Sequence, residues 1–270
     1  MINAAFDGTY AGWRTVARGL ILHGHAPDRI EWVGDSAQQP LLTTAPADVL
    51  SRGQVSSFSV PSDFLRLAEC VACFRDQSRW SLLYRVLWRL THGEKNLLKI
   101  VVDPDVSRLQ RMASAIRRDE HKMKAFVRFR RVGEDDECSA RYIAWFTPAH
   151  LILERVAPFF ANRFASMQWS ILTPDGSIHW NGETIAFGPA LDRAHAPAGD
   201  ELENLWRTYY ASVFNPARLK LRAMRSEMPK KYWSGLPEAS MIPGLVAGAP
   251  KRVREMGVAN FREENQDSGF

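Results

Sequence analysis

A chain of 270 residues with 46% hydrophobic content can bury a substantial core, which excludes disorder over most of its length. Its net charge of +5 favours an acidic polymer or surface as partner and is silent on fold. No run approaches about 18 consecutive apolar residues, the opening MINAAFDGTYAGWR lacks a basic segment followed by an apolar one, and three cysteines cannot close a disulfide framework. A soluble, cytoplasmic protein without membrane association is expected.

Phe6–His23 has helical spacing, with Trp13, Val16, Ala17, Leu20 and Ile21 along one side, and Ala26-Pro27-Asp28 breaks it. Ile30-Glu31-Trp32-Val33 reads as a strand. The stretch 34–60, rich in Ser, Thr, Gln, Pro and Gly, reads as a loop. Pro61 opens a helix that Ser62 or Asp63 can cap, with Phe64, Leu67, Ala68, Val71 and Phe74 at helical spacing. Trp80–Leu90 repeats the pattern with Leu83, Val86, Leu87 and Leu90, while Arg85 and Arg89 lie four residues apart on the other side.

Asp103-Pro104-Asp105 begins a third helix: Asp103 suits the N-cap, Pro104 the first helical position, and Asp105 the positive end of the dipole. At about 100° per residue, Val106, Leu109, Ala113, Ile116 and Met123 gather on one side and Arg108, Arg111, Arg118 and Lys122 on the other. Arg117 and His121 flank that basic stripe. From Arg108 to Arg131 seven arginines and two lysines face only Asp119 and Glu120, so the chain's positive charge is concentrated here.

After Lys124 the period becomes two. Ala125, Val127 and Phe129 alternate with Phe126, Arg128 and Arg130, and Tyr142–Phe146 reads as the returning strand across the acidic loop Gly133–Glu137. Thr147-Pro148 is expected to start a helix carrying Leu151, Ile152, Val156, Phe159, Phe160 and Phe164. Strands at Met167–Leu172, Ser177–Trp180 and Thr184–Phe187, with turns at Pro174-Asp175-Gly176 and Asn181-Gly182, read as an antiparallel meander. From Asp200 a helix carries Leu202, Leu205, Trp206, Tyr209, Tyr210 and Val213. Asn215-Pro216 begins another, with Arg218, Arg222 and Arg225 in a second basic stripe, followed by Lys230-Lys231-Tyr232-Trp233.

The fold expected is α+β, with a helical N-terminal half, a small antiparallel sheet of about five strands and C-terminal helices. One domain is expected over 1–250, with a polar, disordered tail at 251–270.

Two basic segments interleaved with aromatics and methionines form the footprint expected of a nucleic-acid surface, phosphates on Lys and Arg and bases on aromatic platforms. Its residues are Arg108, Arg111, Arg117, Arg118, His121, Lys122, Lys124, Arg128, Arg130, Arg218, Arg222, Arg225, Lys230, Lys231 and Trp233. Solvated helix faces are the plainer alternative. Trp180, before its turn, is a further stacking candidate, and packing is the commoner role of such a ring.

Signals for chemistry are sparse. Cys70-Val71-Ala72-Cys73 has the spacing of half a metal or redox site, but its other half is missing and Cys138 is distant, so packed thiols fit better. Asp103 and Asp105 could hold magnesium, although helix capping accounts for both. His121 could move a proton near phosphates or simply contact one. His150 and Glu154, four apart on the expected helix, could act as base and orienter; a metal there lacks a third ligand. There is no Gly-rich phosphate loop, Gly-x-Ser-x-Gly or His-Glu-x-x-His, and no cofactor or metal is expected.

The string Phe146-Thr147-Pro148-Ala149-His150, the block APFFANRFASMQWSILTPDGSIHWNG at Ala157–Gly182, RRDEHKMKAFVRFR, and LWRTYYASVFNPARLKLRAM followed by EMPKKYW together resemble a bacterial family described as DNA metabolism or DNA repair proteins. The resemblance spans nearly all of Trp13 to Leu245, with Asn181 where an aspartate is expected before the glycine. It implies a companion of a radical-SAM protein in DNA repair, or the domain that elsewhere precedes a uracil-DNA glycosylase-like domain, and the chain resembles the stand-alone form or the half without the glycosylase. It carries no catalytic residues over. The leading expectation is a DNA-binding accessory to a partner repair enzyme. Alternatives are an enzyme acting on damaged DNA, glycosylase- or nuclease-like, and a module whose basic faces dock an acidic protein.

Overall fold

The computed structural model describes residues 1–34, 58–132, 141–195, 211, 224 and 226–266. Most of the 34–60 stretch, the 133–137 loop, Cys138, the aromatic face expected over 202–213, and Arg218, Arg222 and Arg225 lie outside the described residues. The fold is α+β: six α-helices, a two-stranded sheet and a five-stranded sheet among the described residues. The chain divides into two compact units, residues 1–119 with 149–152, and residues 120–148 with 153–270.

In the first unit, β1 (Ile2–Ala5) and β2 (Ile30–Val33) pair in parallel around α1 (Tyr10–Leu22). The strand β1, too short to show alternation, is not legible in the sequence. The Thr9 hydroxyl caps α1 by accepting from the Gly12 N–H. α2 (Ser62–Ala72) starts behind Pro61 without the side-chain cap expected from Ser62 or Asp63. α3 (Ser78–Thr91) buries Trp80, Leu83, Tyr84 and Val86. Ring contacts of Phe6, Trp13 and Trp32 with Trp80 or Tyr84 close the core, and the Tyr84 hydroxyl donates to the His25 carbonyl at 2.7 Å.

α4 (Pro104–Phe126) starts as the sequence indicates. One carboxylate oxygen of Asp103 accepts from the N–H groups of Asp105 and Val106 at 3.0 and 3.1 Å. Its apolar side is buried at Val106, Leu109, Ala113, Ile116 and Met123.

The second unit is built on the sheet β3-β4-β5-β6-β7: β3 (Arg130–Val132), β4 (Arg141–Trp145), β5 (Gln168–Thr173), β6 (Gly176–Trp180) and β7 (Ile185–Gly188). Three pairings are antiparallel, as expected, but β4 and β5 are parallel, because α5 (Leu153–Arg163) carries the chain back between them. The β5–β6–β7 meander is as read from its turns. α5 seals one face: Val156 and Phe160 are buried, as are Trp169, Ile171 and Ile178 of the sheet. Helix α4 runs to Phe126, two residues into the alternating stretch expected to be strand, so Val127 and Phe129 are buried while strand pairing begins at Arg130. α6 (Ile242–Gln266) continues through 251–266, which are helical rather than unstructured. That stretch is rich in Arg and Glu, good helix formers, without a strong apolar stripe.

Candidate nucleic-acid interface

The outward face of α4 carries the densest group of predicted contact residues. Arg108, Arg111, Arg117, Arg118 and His121 are exposed, and Lys122 and Lys124 half-buried. Arg108 donates to the Ser78 hydroxyl at 2.9 Å and Arg118 to the Ser114 hydroxyl at 3.1 Å. Among the described residues, no carboxylate pairs with Arg108, Arg111, Arg117 or Arg118. From Arg108 to Arg118 the stripe runs roughly 15 Å along the helix, enough to follow several phosphates of one strand.

Both acids in this segment are withdrawn from the face. Asp119 is 4% exposed, and one of its oxygens accepts the backbone N–H groups of Ala149 and His150 at 2.8 and 2.9 Å. Glu120 accepts from the Arg155 guanidinium at 2.5 Å. Neither role is visible in sequence. The signal that could have found Asp119 is its helical phase, which places it beside the apolar positions Met112, Ile116 and Met123.

Other predicted contact residues are engaged inside the protein. Arg128 donates to Glu238 at 2.8 Å and to the Ala125 carbonyl at 2.7 Å, with side-chain exposures of 14% for Arg128 and 4% for Glu238. A guanidinium so held is structural, and its partner Glu238, 110 residues away, carries no local sequence signal of the pairing. Arg130 is half-buried on β3. Lys122 donates to the Ser226 carbonyl at 3.1 Å, tying the segment ahead of Lys230 and Lys231 to the C-terminal part of α4. The Lys124 ammonium lies 5.1 Å from the Phe159 ring centre.

Lys230 and Lys231 are exposed on a 3-10 turn, their ammonium groups over the rings of Trp233 and Tyr232 respectively. Trp233 donates to the Met228 carbonyl at 3.1 Å and packs against the Leu236, Ala239 and Ile242 cluster, so its ring is committed to the core. Trp180 likewise donates to the Ala165 carbonyl and stacks on Trp169.

The candidates for chemistry are separated or otherwise engaged. His150 is not on α5, which begins at Leu153 because Asp119 holds the N–H groups of the preceding loop. Its ring stacks on Phe74 at 4.4 Å, and its Nδ1 accepts from the Arg75 N–H at 3.4 Å. Glu154 is exposed on α5, and the expected i, i+4 pair on one helix does not form. Asp103 and Asp105 are held by arginines: Arg85 grips Asp105 at 2.7 and 3.0 Å, and Arg89 reaches Asp103, Asp105 and Glu94. Hydrogen bonding to Arg89 lowers the carboxyls of Asp103 and Glu94 below their usual range. Two guanidiniums where a dication would sit oppose metal binding. Cys70 is buried in α2 and Cys73 half-buried at its end. Among the described residues there is no group of three potential metal ligands, and no helix is long and apolar enough to cross a membrane.

Residues 77–238 match a family described as a domain of unknown function, DUF4130. The match covers more than half of the chain, which therefore belongs to that family. Neither a curated protein nor a solved structure matches it.

Proposed function

We propose that this DUF4130 chain binds DNA along the outward face of α4, as an accessory to a partner repair enzyme. The observation that carries the proposal is the row Arg108, Arg111, Arg117 and Arg118, exposed and without a carboxylate at ion-pair distance among the described residues, Asp76 acting on Arg108 only through its longer-range field, while Arg85, Arg89, Arg128 and Arg155 are each paired. Guanidiniums left unpaired on one face are placed for phosphate oxygens, which they bind in a planar fork. The repair setting, with a radical-SAM or uracil-DNA glycosylase-like protein as partner, is supported by the sequence blocks at 146–182 and 117–130.

An accessory role accords better with the site than catalysis. His121 is exposed beside the stripe, and His150 and Glu154 do not share a helix. Recognition is then by backbone charge and only weakly by sequence.

The test is fluorescence anisotropy of labelled single-stranded and duplex oligonucleotides across a salt series. With about six phosphates contacted, affinity falls roughly a thousandfold between 50 and 200 mM salt. R111E/R118E removes binding while circular dichroism and thermal unfolding stay unchanged. Undiminished affinity in that folded variant would sink the proposal, and strand cleavage or an alkali-labile site on a denaturing gel would replace the accessory reading with an enzymatic one.

A further inference from the structure

The sheet of the second unit has a polar face that the α4 surface does not involve. Alternation along the strands, with the registers Arg141↔Gln168, Ile143↔Ser170, Ser170↔His179 and His179↔Ala186, puts these side chains on one face. They line a pocket of about 310 Å³ together with Asn181 and Thr184 beyond β6. Among the described residues, no carboxylate lines it.

At its base three side chains form a chain of hydrogen bonds. Ser177 Oγ lies 3.0 Å from His179 Nε2, and His179 Nδ1 lies 2.8 Å from Ser170 Oγ. Ser177 is 1% exposed, and His179 is its only side-chain hydrogen-bond partner among the described residues. A buried hydroxyl proton needs an acceptor, so Ser177 donates to Nε2, which fixes the proton on Nδ1. Nδ1–H then donates to Ser170, and the Ser170 hydroxyl is left to donate into the pocket. Each bond in such a chain polarises the next, which makes the terminal donor stronger. The same reasoning excludes Ser170 as a nucleophile activated by His179, since the histidine gives it a proton and does not take one.

The rim adds donors of the same sense. The Arg141 guanidinium is exposed there. Asn181 spends its carbonyl oxygen on the N–H groups of Glu183 and Thr184 at 2.9 and 2.8 Å, leaving its amide N–H groups available. Gly188 keeps the base of the chain compact: a Cβ there would stand 2.5 Å from Ser177 Oγ and 3.1 Å from His179 Nε2.

We infer that this pocket binds a phosphate monoester, with Arg141, Ser170 and Asn181 as donors to its oxygens. Donors converge from β4, β5 and the turn after β6, which suits a tetrahedral group with several acceptor oxygens better than a planar carboxylate. The volume lies at the lower end of small-molecule sites, about the size of a mononucleotide. A free nucleoside monophosphate and the phosphorylated 5′ end of a strand share this chemistry.

The full chain is titrated with inorganic phosphate, with deoxynucleoside 5′-monophosphates, and with short oligonucleotides bearing a 5′-phosphate or a 5′-hydroxyl, while NMR follows the His179 ring. Histidine signals are assigned with H179N. Saturable movement of the His179 resonances is expected with phosphate and monophosphates, and R141Q and S170A each weaken it tenfold or more. Preference for the 5′-phosphorylated over the 5′-hydroxyl oligonucleotide identifies the strand end as ligand. Binding of the free monophosphate alone identifies a nucleotide. No saturable shift in the unmodified protein up to tens of millimolar phosphate or monophosphate, or equal binding of acetate, overturns the inference. R111E/R118E leaves this binding intact, and S170A leaves duplex affinity intact, so this site and the α4 surface stand or fall separately.

Discussion

Asp119 Oδ2 accepts the backbone N–H of His150 at 2.9 Å, and this contact settles two features at once. It removes an acid from the most basic segment of the chain, and it holds the loop ahead of α5 out of helical conformation. Replacing Asp119 by Ala leaves the N–H groups of Ala149 and His150 without this acceptor, at a cost of about 1–3 kcal/mol. Those two amides are expected to exchange hydrogen markedly faster in D119A, with little change elsewhere on α4. Unaltered exchange at both would show that the loop is held by other contacts.

The pair Arg128–Glu238 separates structural from functional arginine. Breaking a buried ion pair from one side strands the other charge, so R128M and E238M are each expected to cost about 3–5 kcal/mol. The double variant R128M/E238M should recover most of that loss in thermal denaturation. If R128M instead left the melting temperature unchanged and reduced DNA affinity, Arg128 would belong with the α4 stripe after all.

Acid should loosen the first unit through Arg89. Its hydrogen bonds hold the Asp103 and Glu94 carboxyls below their unfolded values. A depressed folded pKa contributes stability that is present above the unfolded pKa, about 4 for both groups, and lost as pH falls through the folded value. Thermal stability of the protein is therefore expected to drop from about pH 5 downward, and R89M should flatten that dependence while lowering stability at neutral pH. An unchanged acid limb in R89M would show that other carboxylates govern it.

Much of the architecture is legible in the chain. Asp103-Pro104-Asp105 marks the start of α4 through capping chemistry confined to adjacent residues, and Asn181-Gly182 together with Pro174-Asp175-Gly176 marks the turns of the meander for the same reason. The apolar phase of α4 also identifies which of its arginines face outward. Interactions that depend on distant residues are illegible. Glu238 lies 110 residues from the arginine it pairs with, the parallel β4–β5 pairing depends on the crossover of α5, and β1 is a strand only because β2 is beside it.

The sequence by itself determined helices α1 to α3, the start and faces of α4, the turns of the meander and the concentration of positive charge, because hydrophobic period, capping and turn chemistry act within a few residues. Only the tertiary structure decided which charges remain on the surface. Asp119, Glu120 and Arg128 are neutralised or withdrawn by partners brought close in folding, and the line Ser177–His179–Ser170 exists because strand register sets side chains of two strands opposite one another.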